Sequence, residues 1–246
     1  MQAAASALTT ARWGMFCIPG IATLDDLRQA IDQGMQFVRI GVDCAQFREA
    51  EPYVQLARRH GLLTCVNFMK SYTRPPDEFA RLVVEVERYG VDVVYIVDSA
   101  GGMLPAQIAA YVKAVRELSE SVRLGFHGHN NLGLGVGNAL RAVELGVEVI
   151  DASLMGIGRG AGNTPSEQFI CALIRMGIDC DIDPIKLLDL SDHLILPLEA
   201  MRGSPSLDVV SGLALFHSSY MSTIQKYAAK HRVDPRRLRS LWAIGS

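Results

Sequence analysis

Residues 91–105, VDVVYIVDSAGGMLP, contain one complete passage from strand to helix. The first seven residues are apolar and β-branched almost throughout, as in a strand covered on both faces. Asp98 and Ser99 follow at its carboxyl end. Pro105 then suits the first turn of a helix whose apolar face runs through Ile108, Val112, Val115 and Leu118. The same order recurs on both sides. Strands are predicted at residues 15–18, 37–41, 62–68, 91–97, 122–127 and 147–152, with starts about 22 to 30 residues apart, the spacing of βα units.

Helices fit between the strands. Thr23 can cap one over residues 24–33, with Gly34 closing it. Pro76 and Asp77 open another, carrying Phe79, Leu82, Val83 and Val86, and residues 134–145 make a third that Gly146 stops. After Pro165 the pattern is helical, over residues 168–176, 184–201, 213–231 and 235–242.

Serial βα units build a closed barrel or an open doubly wound sheet. The first strand–helix turn has no GxGxxG and the chain has no P-loop, which weighs against nucleotide-type open sheets. Polar residues instead gather past successive strand ends: Asp43 and Cys44, Lys70, Asp98 and Ser99, His127 and His129, and then the loop Gly156 to Asn163. That is the active-site face of a barrel. The expected architecture is an α/β fold of TIM-barrel type over residues 1–180, with six of eight strands visible. A helical C-terminal region over residues 181–246 follows, with its boundary near Asp181–Pro184.

Composition narrows the function classes. Apolar residues make up 49% and charged residues 20% of the 246, and 24 Lys and Arg balance 26 Asp and Glu. No basic field exists to hold nucleic acid or an anionic membrane surface. No apolar run approaches the roughly 20 residues of a membrane helix, and the opening MQAAASALTTAR lacks the order of a signal peptide. Five cysteines without CxxC spacing point to a reducing cytoplasm.

Two stretches carry candidate chemistry. In GFHGHNN, residues 125–131, His127 and His129 stand two apart at a strand end, so their side chains point the same way and can share a divalent ion. A pair held by hydrogen bonds within the loop is the plainer alternative. In DASLMGIGRGAGNTPSE, residues 151–167, four glycines permit a loop folded tightly against a ligand, and Asn163 can offer an amide oxygen. A phosphate cradle would suit the same loop. Asp98 and Ser99 also suit helix capping.

Together with VVYIVDSAGGMLP, these stretches resemble the DRE-TIM metallolyase superfamily, whose members are HMG-CoA lyase-like, and within it the 4-hydroxy-2-oxovalerate aldolases. The likeness runs from MFCIPGIATLDDL to IDASLMGIGRGAGNTPSE and continues more weakly through SGLALFHSSYM. It implies a lyase cleaving a 4-hydroxy-2-oxo acid to pyruvate and an aldehyde, with Mn²⁺ or Mg²⁺ as cofactor. It also implies His127, His129 and Asn163 as metal ligands, and Asp98 and Ser99 as residues supporting the site. Phe16 and Ile18 would line the aldehyde pocket. Nothing in residues 1–20 matches the family's TLRDG-like strand, so Asp43 or Asp98 is expected to replace its carboxylate and His217 to serve as base. An aldehyde dehydrogenase partner and a homo-oligomer are further expectations. The alternatives are an assembly subunit dependent on a partner and an acyl-CoA-dependent relative.

Overall fold

The computed structural model describes residues 2–198, 211 and 214–235. Six strands, β1 (Gly14–Cys17), β2 (Phe37–Asp43), β3 (Leu63–Met69), β4 (Val93–Asp98), β5 (Arg123–Gly128) and β6 (Val149–Ile150), lie in one sheet in sequence order. Neighbours from β1 to β4 pair in parallel, with Gly14 opposite Phe37, Phe37 opposite Leu63 and Cys65 opposite Val93. A doubly wound sheet would reverse its order at a switch point, whereas a barrel wall adds each strand beside the last. The observed order is the barrel's, as the strand-end chemistry led one to expect.

Helices follow the strands: α1 (Gln2–Ala7), α2 (Leu24–Asp32), α3 (Glu51–Arg59), α4 (Pro76–Glu87), α5 (Pro105–Leu118), α6 (Gly135–Glu144), α7 (Ser166–Arg175), α8 (Pro184–Leu194) and α9 (Met221–His231). Thr23 caps α2 in a reciprocal box, its hydroxyl taking the Asp26 N–H while the Asp26 carboxylate takes the Thr23 N–H. This satisfies two donors at the helix start that the helix itself cannot.

Several boundaries differ from the sequence reading. Helix α3 was not among the predicted elements; four of its nine residues are charged or amide side chains, and its buried face is only Tyr53, Val54, Leu56 and Ala57. The helix predicted over 184–201 stops at Leu194 and gives way to a 3-10 turn at Leu196–Leu198. Pro197 accounts for this, since it lacks the N–H that a continuing helix requires. The helix predicted over 213–231 is interrupted: Ala214 is helical, Leu215 lies in the left-handed region at φ 53°, and α9 begins only after a 3-10 turn at Ser218–Tyr220. The helix predicted over 235–242 lies, beyond Pro235, outside the described residues.

The chain divides into two compact units. The first comprises Met1–Val97, Ala110–Gly125 and Val147–Val149; the second comprises Asp98–Ala109, Phe126–Gly146 and Ile150–Ser246. The boundary expected near Asp181–Pro184 falls inside the second unit. In the first unit, Val38, Ile40, Val66 and Phe68 from the sheet are fully buried together with Leu27, Val54, Phe79 and Val83 from the helices. Phe68, Phe79 and Tyr111 form a chain of edge-to-face rings with centroids 5.4 and 5.2 Å apart. Truncating a ring such as Phe79 to alanine is worth about 3–5 kcal/mol. In the second unit, Phe126, Met103 and Ile108 are fully buried, and the Asn138 amide donates to the Met103 carbonyl at 2.7 Å.

Candidate active site

The second unit holds most of the polar strand ends. Strand β5 alternates sides, so Phe126 enters the core while His127 points to the opposite face. The strand end is then tied down from two directions. The His129 N–H donates to the Asp98 carbonyl at 3.2 Å, and His129 forms an antiparallel bridge with Asn163. The Thr164 N–H and hydroxyl both donate to the Gly128 carbonyl, at 3.1 and 3.3 Å. The end of β5 and the glycine-rich loop are therefore one hydrogen-bonded assembly.

The loop has its own support. Met155 adopts a left-handed conformation at φ 49°. Its N–H donates to both Glu167 carboxylate oxygens, at 2.8 and 3.0 Å, and the Ser191 hydroxyl donates to the same buried carboxylate. Gly162 is required by close approach: a Cβ there would stand 2.2 Å from the Gly156 carbonyl oxygen. The Asn163 amide nitrogen donates to the Ile157 carbonyl at 3.1 Å and lies 3.4 Å from the Ser153 hydroxyl.

The two imidazoles meet edge to face, centroids 5.2 Å apart with planes at 77°. His127 Nδ1 stands 2.8 Å from Asp151 Oδ2. The ring of His129 is hydrogen-bonded to the main chain of Arg159, while burial first, and then His127 and Arg159, push its pKa down to about 3. His129 is thus neutral across the physiological range. Each ring has one nitrogen committed to an oxygen acceptor, which leaves the other to act as a lone-pair donor. Histidines that ligate metals are supported in this manner.

The other expected residues are distributed as follows. Asp98 is fully buried and accepts from the Gly102 and Met103 N–H groups at 3.1 and 2.9 Å. Burial raises its pKa to about 6 in spite of those N–H donors. Ser99 beside it is buried. His217 Nε2 lies 2.6 Å from Arg159 Nη2. Asp43, Phe16 and Ile18 belong to the first unit. Asp43 pairs with the Lys70 ammonium at 2.5 Å and accepts from the Ala45 N–H at 3.1 Å. Phe16 and Ile18 pack over Gly41, where a Cβ would stand 2.5 Å from the Phe16 ring. The Phe16 ring also lies 5.7 Å from the Arg39 guanidinium.

The sequence reading did not single out Asp151 or Arg159. Asp151 directly follows β6, the same position that drew attention to the residues after β4 and β5. Arg159 is the one charged residue between the first and last glycines of the loop, and only the fold reveals that it touches both His129 and His217. Among the described residues, no group of three His, Cys, Asp or Glu is placed to hold a metal ion. The donors to which an ion would bind here are the two imidazoles, with the Asn163 amide beside them. That chemistry suits a divalent ion as part of its coordination shell.

A sheet of serial βα units with paired histidines at the end of one strand defines a barrel-type α/β protein with its polar site at the strand carboxyl ends. Residues 1–194 match the HMGL-like family, and the chain belongs to that family. Among curated relatives, 4-hydroxy-2-oxovalerate aldolase of Chloroflexus aurantiacus is 40% identical over 222 residues, covering 90% of this chain and 64% of that protein. The Thermus thermophilus protein of the same name is 37% identical, covering 96% of this chain and 68% of that one. The chain therefore spans about two thirds of the length of these relatives. Solved structures share the fold: HMG-CoA lyase of Bacillus subtilis has a TM-score of 0.72 at 17% identity, covering 85% of this chain and 78% of that one. The carboxyl transferase domain of Rhizobium etli pyruvate carboxylase has a TM-score of 0.74 at 18% identity, covering 88% of this chain and 40% of that one.

Proposed function

We propose that this protein is a carbon–carbon lyase of aldolase type, cleaving a 4-hydroxy-2-oxo acid to pyruvate and an aldehyde with the help of Mn²⁺ or Mg²⁺. The observation that carries this reading is the support of the histidine pair: Asp151 holds one ring nitrogen of His127, and the Arg159 main chain holds one of His129. When bound, the ion supplies Lewis acidity toward the oxygens of the 2-oxo acid. His127 and His129 would hold it through their remaining nitrogens. Burial keeps His129 unprotonated, so no proton competes for that nitrogen at neutral pH. Asn163 is bridged to His129, and its amide nitrogen is fixed by the Ile157 carbonyl, so its position is set before any ligand arrives. The names of the similar aldolases agree with this substrate class. The five free thiols agree with a cytoplasmic setting, and no helix among the described residues is long and apolar enough to cross a membrane.

One observation favours a second reading, an assembly subunit that depends on a partner: the described residues hold no three-membered His, Cys, Asp or Glu group for a metal. One experiment separates the two. The purified chain is equilibrated with Mn²⁺, dialysed, and assayed for metal content and for pyruvate release from 4-hydroxy-2-oxopentanoate. Bound metal with turnover supports the lyase. Absence of both overturns it in favour of the subunit.

A further inference from the structure

Asn163 closes the glycine-rich loop beside His129. The two residues face each other across an antiparallel bridge, so their side chains stand together on one side of it. The main chain is fixed at this point, since the Asn163 N–H donates to the Gly156 carbonyl at 2.9 Å. The neighbours of the side chain then decide which end of its amide is held.

Two of those neighbours are acceptors. The Ile157 carbonyl can only accept, and it stands 3.1 Å from Nδ2. The Ser153 hydroxyl has one hydrogen, which it donates to that same carbonyl at 2.8 Å. Toward Asn163 it therefore offers a lone pair, 3.4 Å from Nδ2. A flipped amide would set its oxygen against both acceptors. The nitrogen end is held, and Oδ1 is the prong turned away from Ile157 and Ser153.

Gly158 forms the remaining wall. A Cβ on it would stand 2.5 Å from Nδ2, 2.8 Å from Cγ and 2.9 Å from Oδ1 of Asn163. All three atoms belong to the end of one side chain and none to the backbone, so the amide is the group that would have to give way. The backbone itself does not call for glycine at this position: Gly156, Gly160 and Gly162 have positive φ, whereas Gly158 does not. What the missing side chain provides is room for the amide.

We propose that Ser153 and Gly158 are positioning residues that orient the Asn163 amide, so that Oδ1 and not Nδ2 serves as an oxygen ligand beside the histidine pair. An amide nitrogen is only a donor, and hard divalent ions take oxygen, so this orientation decides whether Asn163 can bind the ion. The inference rests on the lyase reading above and adds the residues that aim one of its ligands.

The test is titration calorimetry of Mn²⁺ and of Zn²⁺ into the full chain, alongside pyruvate release. N163A, G158A and S153A should each weaken Mn²⁺ by roughly tenfold or more, the scale of losing support at a metal site. Zn²⁺, which imidazoles suit, should fall less than Mn²⁺; an equal fall for both metals would mean a loosened loop and overturns the proposal. G158A added to N163A should cost nothing further, because Gly158 acts through that amide. A further loss in the double variant overturns its assignment. Should G158A fail to fold, S153A added to N163A carries the same test. Wild-type Mn²⁺ affinity in N163A overturns the proposal, and wild-type affinity in G158A or S153A overturns the role of the residue removed. If the wild-type chain neither binds Mn²⁺ nor releases pyruvate, the lyase reading falls and takes this inference with it. If the wild-type chain does both and the variants match it, this inference alone falls.

Discussion

Asp151 and Asp43 show how differently two carboxylates near strand ends are used. Asp151 stands against His127 Nδ1 at 2.8 Å, where it fixes the tautomer and the ring plane. Asp151→Asn should lower Mn²⁺ affinity by roughly 10- to 100-fold, the usual cost of losing such support, with the circular dichroism spectrum unchanged; equal affinities by calorimetry would deny Asp151 this role. Asp43 is instead engaged by Lys70. Burial opposes its charge, yet the Lys70 ammonium and the Ala45 N–H outweigh that and bring its pKa below the ordinary 3.8. A carboxylate with a lowered folded-state pKa contributes stability that is present above the unfolded value and lost as pH falls through the folded one. Asp43→Asn should therefore be less stable than wild type at pH 7, and the gap should close as acidification proceeds below about pH 4. Urea midpoints of both proteins across that range test it; a constant gap would contradict the ion pair.

At the scale of elements, the glycine-rich loop and α7 form one working piece. The first turn of α7 presents Glu167, whose carboxylate takes the Met155 N–H on one side and the Ser191 hydroxyl of α8 on the other. Met155 pays for a left-handed backbone with that bond. Glu167→Ala would remove the charged acceptor shared by the Met155 N–H and the buried Ser191 hydroxyl, costing about 1–3 kcal/mol, and would loosen the loop that carries Asn163 and Arg159. The expected outcome is a lower urea midpoint with unchanged slope, together with weaker Mn²⁺ binding. A normal midpoint would show that the loop holds its shape by other means.

For the whole molecule, the order of the sheet sets an expectation about association. Among the described residues β1 pairs with β2 alone. In the first unit a cavity of about 260 Å³ is lined by Arg12, Phe37, Arg39, Tyr95 and their neighbours. An edge strand offers unpaired N–H and C=O groups to another chain. Sedimentation velocity should show self-association that grows with protein concentration. A single monomer boundary at all concentrations would mean that β1 is protected within the chain.

The sequence by itself determined the βα repeat, the position of each strand to within a few residues, and the histidine pair. These are local properties: the β-branched runs, the Thr23 cap, Pro105 and the terminating glycines act over a few residues and are legible as they stand. Helix α3 escaped because its buried face is short, and the long C-terminal helices were overestimated because Pro197 and the left-handed Leu215 outweigh an apolar pattern. The partners of the site were decided only by tertiary structure. Asp151 is 24 residues from His127, and Arg159 is 58 from His217. No period or spacing links residues that far apart, because their contact is made by the packing of strand ends and loops.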